Sequence, residues 1–163
     1  MDVAEISPSN RADAADEANR PVIRGSRHAC VAGHYLAAHA GFAILEAGGN
    51  AVDAGVAAGI TEAVVQSEQV GFAGIAPTLI YLAGTREVVT IAGVGSWPRD
   101  ASCERLELDY GGRIPRGLLR TVVPAAPAVW VLALQRYGTL PFRAVAAAAI
   151  RFARDGFPMH PYN

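Results

Sequence analysis

The chain contains no lysine: all fourteen basic side chains are arginine, and against fifteen acids they leave a formal charge of −1. A near-neutral balance without a basic run offers no electrostatic footprint for nucleic acid or for an anionic membrane, so neither is expected as a partner. The all-arginine usage reads as genome base composition rather than function. Cysteine is almost absent too. Cys30 and Cys103 stand far apart and in no CxxC or other metal spacing, which argues against a metal site, and each is read as a buried free thiol. No segment approaches the roughly 18 uninterrupted apolar residues of a membrane span, and MDVAEISPSNRADAADEANR has neither a basic start nor an apolar signal core. The expectation is a cytoplasmic protein. Aromatics make up only 7% of a chain that is 52% hydrophobic. Alanine supplies much of the difference, in helix-like stretches that leave apolar surface to spare for a partner.

Residues 1–20 are polar, mixed in charge and aperiodic, and are expected to be a disordered arm. Residues 21–163 form one unit, with order starting near Pro21. Arg27 to Ala32 (RHACVA) alternates like a short strand, and Gly33 breaks it. A helix is predicted from His34 to Ala47 with Leu36, Ala40, Ala43, Ile44 and Ala47 on one face, stopped by Gly48 and Gly49. Asn50 then stands at an N-cap, and Asp53 three residues later reaches back to its amide. Val52, Val56, Ile60 and Val64 form a ridge along the second helix, with Gly55 and Gly59 leaving a flat strip for close approach. Ser67 to Pro77 reads as a structured loop, followed by strands over 78–82 and 88–92 around the turn Ala83–Arg86. Residues 93–120 are rich in glycine, proline and charge and read as a long functional loop. Pro124 and Pro127 precede a helix from Ala128 to Arg136, and Pro141 opens a last helix running to Asp155. The class is α+β.

The stretch VAGHYLAAHAGFAILEAGGNAVDAGVAAGITEAVV (31–65) resembles the start of the large subunit of gamma-glutamyltransferases. His34, Leu36, Ala37, Ala40, Gly41, Ile44, Leu45 and the run Gly48-Gly49-Asn50-Ala51-Val52-Asp53-Ala54 carry the likeness, because glycine stop, asparagine cap and aspartate partner must coincide at fixed spacing. Val123-Pro124 with Trp130, Tyr137-Gly138 and Arg154 to Pro158 extend it, so that it covers nearly everything from residue 27 onward. The resemblance implies that residues 21–163 are the front of the large subunit of a four-layer αββα N-terminal-nucleophile hydrolase, completed by a small subunit. Such a proenzyme cleaves itself to expose a threonine whose α-amino group acts as general base. The threonine attacks an amide carbonyl of a small-molecule substrate, an acyl-enzyme forms, and water or an amine resolves it. The oxyanion-hole donors also come from the small subunit. Thr61, Thr78, Thr85, Thr90, Thr121 and Thr139 are all internal, so no catalytic residue is expected here, and no cofactor. The family chain normally runs well past its Gly-Phe-Pro helix end, which leaves the stop at Asn163 unexplained. Association of two heterodimers is one arrangement the resemblance allows.

Two departures bear on substrate. The family's Ser-Gly-Ile-Gly-Gly-Gly-Gly loop is replaced by VGFAGIA (70–76), which keeps two glycines. The family's Arg-Glu-Thr-Ala-Pro segment, whose arginine grips the α-carboxylate of the glutamyl group, lines up on Pro98 with Val94-Gly95-Ser96-Trp97-Pro98. Valine takes the arginine's place, and an alkyl group cannot replace a bidentate guanidinium. Val94, Ser96, Trp97 and Arg99 are therefore the expected substrate-binding residues, for an acyl group other than gamma-glutamyl. Arg99 either restores the clamp from five residues on or pairs at the surface with Asp100; Trp97 either floors an acyl pocket or packs in the core. The alternative reading is a non-catalytic relative that keeps the scaffold as a binding or assembly component. His28, His34 and His39, spaced by six and five, do not share a helical face, so no metal is expected. Among the acids only Asp53 is given a specific task, capping.

Overall fold

The computed structural model describes residues 22–159, so the expected disordered arm over 1–20 and the expected start of order at Pro21 lie outside them. Helices α1 (Tyr35–Glu46) and α2 (Ala51–Val65) are followed by strands β1 (Thr78–Leu82) and β2 (Glu87–Ile91). Helix α3 (Cys103–Tyr110), a 3₁₀ turn (Leu118–Arg120), α4 (Ala126–Tyr137), α5 (Phe142–Val145) and α6 (Ala147–Asp155) complete them.

Helix α2 is the centre of the fold. It packs against α1, α4, α5 and α6, and Ala54, Val56, Ala57, Ala58, Ile60, Ala63 and Val65 are all buried on it. Alanine accounts for this all-round burial, because small side chains let neighbouring helices approach from several sides at little entropic cost. The closest approach is at Gly41 of α1, where a Cβ would lie 2.8 Å from the Ala54 carbonyl oxygen and 2.5 Å from Cys30 Sγ. Gly41→Ala is expected to cost about 1–3 kcal/mol by overpacking this crossing, read as a lower urea midpoint at unchanged m-value. An unaltered midpoint would mean that the helices slide apart without cost.

Helix α1 ends at Glu46, where the Gly48 and Gly49 amides donate back to the Leu45 and Ile44 carbonyls at 3.1 and 2.9 Å. These are the paired bonds of a Schellman stop. The buried residues of α1 are Ala37, Ala40 and Gly41; of the predicted stripe Leu36, Ala40, Ala43, Ile44 and Ala47, Ala40 is buried, Leu36 and Ile44 are half-buried with Ile44 packed against the core, and Ala43 and Ala47 are exposed. Close contact with α2 at Gly41 turns the buried face toward Ala37 and Gly41 and leaves Ala43 and Ala47 outside it.

Strands β1 and β2 form an antiparallel hairpin in register Thr78↔Ile91 through Leu82↔Glu87. Ile80 is buried in the core, with Leu82, Val89 and Ile91 packed against the same cluster. On the opposite face Leu79, Tyr81 and Val88 are exposed by 60% or more.

Four expectations need correction. Residues 27–32 form no strand; the two-stranded sheet offers this segment no ladder, and Arg27 and His28 are tied instead to Glu46 on α1 at 2.8 Å each. The stretch 93–120 is not loop throughout: Ser102 caps α3 by accepting the Arg105 amide, and Gly111 at φ 59° ends it. Helix α4 starts two residues early, with Pro127 inside its first turn where its missing N–H is harmless. The last helix is split into α5 and α6 at Ala146. The expected burial of both thiols is corrected as well: Cys103 is exposed at the start of α3 and Cys30 is half-buried, with burial pushing the Cys30 thiol above its usual range.

Candidate functional site

Strand β2 runs on into an arm, residues 93–98, that carries the predicted substrate residues. The Ala76 amide donates to the Gly93 carbonyl and the Val123 amide to the Ser96 carbonyl, each at 2.8 Å. The arm is thereby clamped between the 67–77 loop and the segment leading into α4. Gly93 and Gly95 sit at φ 55° and 77°, and a Cβ on either would run into a backbone carbonyl, of Ala76 and Val123 respectively. Both glycines are therefore required. They flank Val94 and fix its direction, with half of its surface open to solvent.

The 67–77 loop is held just as firmly. The Gly74 carbonyl accepts both the Ala125 and Ala126 amides at 3.1 Å, satisfying donors at the start of α4 that have no intrahelical partner. The Phe72 ring lies 5.2 Å from the buried Trp130 ring, tilted by 54°. Erosion of the glycines thus coincides with a loop whose aromatic side chain anchors it to the core.

The four predicted substrate residues do not converge on one point. Trp97 lines a cavity of about 230 Å³ beneath α3, with Leu106, Tyr110, Leu118 and Leu119, and Val94, Ser96 and Arg99 are not part of its wall. Ser96 and Arg99 are exposed. Arg99 forms no ion pair with Asp100: the pairs among the described residues are Arg27–Glu46, His28–Glu46 and Arg105–Asp109. Sequence reasoning missed the α3 contribution to this cavity, although Ser102 before an apolar periodic run and Gly111-Gly112 after it were the available signals. A larger open groove, about 860 Å³, follows β1 and α2 and includes none of residues 93–99.

The turn residues behave as a unit. Asn50 Oδ1 accepts the Val52 and Asp53 amides at 2.8 and 3.0 Å, and the Asn50 amide donates to Asp53 Oδ2 at 2.9 Å. Asn50 Nδ2 also donates to the Tyr137 carbonyl at 2.6 Å, in the last turn of α4. Asp53 does more than cap. Its buried carboxylate accepts the Thr139 amide at 3.0 Å, the Thr139 hydroxyl at 2.6 Å and the Leu140 amide at 3.2 Å. Burial pushes the Asp53 carboxyl up, but the bonds from the Thr139 hydroxyl and the Asn50, Leu140 and Thr139 amides outweigh it and hold the carboxyl below the usual range.

The histidines stay apart. His34 Nδ1 accepts the Leu36 amide at 3.1 Å and so caps α1, while His28 pairs with Glu46. Among the described residues no three metal-binding side chains gather, and no helix is long and apolar enough to cross a membrane.

A family model described as gamma-glutamyltranspeptidase matches residues 37–163. The "Acylase ACY 1 proenzyme" of Pseudomonas sp. (strain SE83) is 40% identical over 148 residues, spanning 85% of this chain and 26% of its own length. Among solved structures, the gamma-glutamyltranspeptidase of Helicobacter pylori superposes with a TM-score of 0.75 at 30% identity, covering 84% of this chain and 40% of that one. The cephalosporin acylase of Bacillus halodurans gives a TM-score of 0.73 at 31% identity, over 89% of this chain and 28% of the other. The chain thus spans about a quarter of the curated relative it matches.

Proposed function

The chain belongs to the gamma-glutamyltranspeptidase family, and we propose that it is the front of the large subunit of a self-processing amidohydrolase or acyltransferase with an acyl group other than gamma-glutamyl. A threonine heading the partner subunit attacks the amide carbonyl, and its own amino group takes the hydroxyl proton and passes it to the leaving amine. Water or an acceptor amine then releases the acyl group and regenerates the threonine. The αββα sandwich is completed by that subunit, against the apolar outer face of the β1–β2 hairpin. The likeness to acylases by name, at 40% identity in one case, supports the same chemistry class.

Val94 carries the acyl preference. Its two flanking glycines fix its direction, so the side chain held at that position is an alkyl group. A substrate carboxylate placed there would forgo a charge-assisted pair worth about 1.5–3 kcal/mol, on the order of tenfold to a hundredfold in binding. Ser96 and Arg99 are exposed on the same arm, and Arg99, without an ion pair to Asp100, is the guanidinium nearest to Val94 in sequence.

The test is anilide hydrolysis by the full-length protein across acyl groups. Neutral acyl anilides are expected to exceed the gamma-glutamyl anilide in kcat/KM by about a hundredfold, consistent with the loss of one such pair. Strong gamma-glutamyl turnover that disappears in Arg99→Ala would overturn the Val94 argument. A full-length chain that stays uncleaved by intact mass, with no new N-terminal threonine, would favour the non-catalytic alternative.

A further inference from the structure

We propose that the cavity between Trp97, α3 and the 3₁₀ turn is the acyl side-chain pocket, and that it selects an uncharged group of about phenylacetyl or medium aliphatic size. The inference rests on the amide-acylase reading above.

Position comes first. Trp97 follows Ser96 directly, and the Ser96 carbonyl is held by the Val123 amide at 2.8 Å. A cavity walled by Trp97 therefore keeps a fixed relation to the clamped arm. Its other walls come from separate elements, Leu106 and Tyr110 on α3 and Leu118 and Leu119 on the 3₁₀ turn.

The lining sets the chemistry. Trp97, Tyr110 and Leu119 are 39%, 44% and 45% exposed and Leu118 is 87% exposed, so the large apolar side chains gathered round this hollow remain open to solvent. An apolar ligand side chain would remove that surface from water. The single cation in the wall, Arg105, lies 3.5 Å from Asp109, one turn along α3. Asp100 adds a second carboxylate. Two acids against one paired base leave no free positive charge and repel an acyl group that ends in a carboxylate.

Size narrows it further. Pockets that hold a whole drug-sized ligand run to about 300–1,000 Å³, whereas this one is about 230 Å³. It suits one branch of a substrate, with the scissile amide and leaving group outside.

Two substitutions with opposite effects test this in the full-length, processed protein. Leu119→Trp narrows the cavity and is expected to lower the ratio of kcat/KM for phenylacetyl over acetyl anilide by about tenfold or more, in line with the tenfold to 200-fold that one methylene commands in an apolar pocket. Leu106→Ala widens it and is expected to raise the octanoyl-to-butyryl ratio. A folding defect cannot move the two ratios in opposite directions. Ratios within twofold of wild type, with turnover intact, would overturn the assignment. If no anilide is turned over, calorimetric binding of phenylacetamide decides: binding abolished by Leu119→Trp upholds the pocket while the acylase reading falls, and absence of binding to the wild type rejects the pocket.

Discussion

Asp53→Ala is expected to lower the unfolding free energy of the full-length protein by about 4 kcal/mol, measured by urea denaturation. The carboxylate accepts from the Asn50 amide, the Thr139 amide and hydroxyl and the Leu140 amide, and alanine leaves all four donors without it. A buried donor stripped of its acceptor costs about 1–3 kcal/mol, and loss of a helix cap adds about 1 kcal/mol. Water reaching the exposed Thr139 returns part of that sum. Asp53→Asn preserves the volume but turns one acceptor oxygen into a donor, so about half the loss is expected. A change below about 1 kcal/mol for alanine would show that water replaces the carboxylate throughout.

The same residue sets an acid limb. The folded Asp53 carboxyl sits below its usual range, and an unfolded aspartate titrates near about pH 3.9. The stability it contributes is therefore complete above that pH and declines as pH falls through the lower, folded value. Wild type should lose stability steeply below about pH 4 and Asp53→Asn less so, with the two unfolding curves converging in acid.

Trp130→Ala is expected to cost about 4 kcal/mol, within the about 3–5 kcal/mol typical of a large aromatic removed from a core. The indole is 7% exposed, and a Cβ on Gly59 of α2 would lie 3.3 Å from its Nε1, so the ring fills the α2–α4 crossing directly. The Phe72 ring lies 5.2 Å from it. Truncation would open a void and release the 67–77 loop that supports the arm. Trp130→Phe keeps an aromatic partner for Phe72 and should cost about 1.5 kcal/mol, in the range of shape changes with repacking. A loss of under about 1.5 kcal/mol for alanine would mean that α4 collapses onto α2.

What the sequence made legible was local. The glycine stop, the Asn50 cap and its Asp53 partner lie within six residues, and their chemistry is complete at that range. The hairpin was legible because alternation and turn residues act over neighbouring positions. Helix α3 is bounded by the Ser102 cap and the Gly111 stop, but the glycine, proline and charge on either side of it mask these signals in the composition of 93–120. Residues 27–32 carry strand-like alternation but lack a ladder partner, which no local pattern reveals. The rotation of α1 depends on one close contact with α2, and the second task of Asp53 depends on Thr139. Within the candidate site, the arm was identified from residue order, whereas its clamping by Ala76 and Val123 is tertiary. The cavity behind Trp97 likewise needs α3 and the 3₁₀ turn to meet.

The bonds of Asp53 differ in reach: its partner Asn50 is three residues away, and Thr139 is 86. Closing a loop of that length carries an entropic cost that the capping bond does not, so φ-values are expected to be higher for Asn50→Ala, which removes the cap, than for Thr139→Ala, which removes the distant bond. One carboxylate is thus expected to serve the folding reaction at two separate times. On that order, loss of the distant bonds is expected to show mainly as faster unfolding and loss of the cap as slower folding.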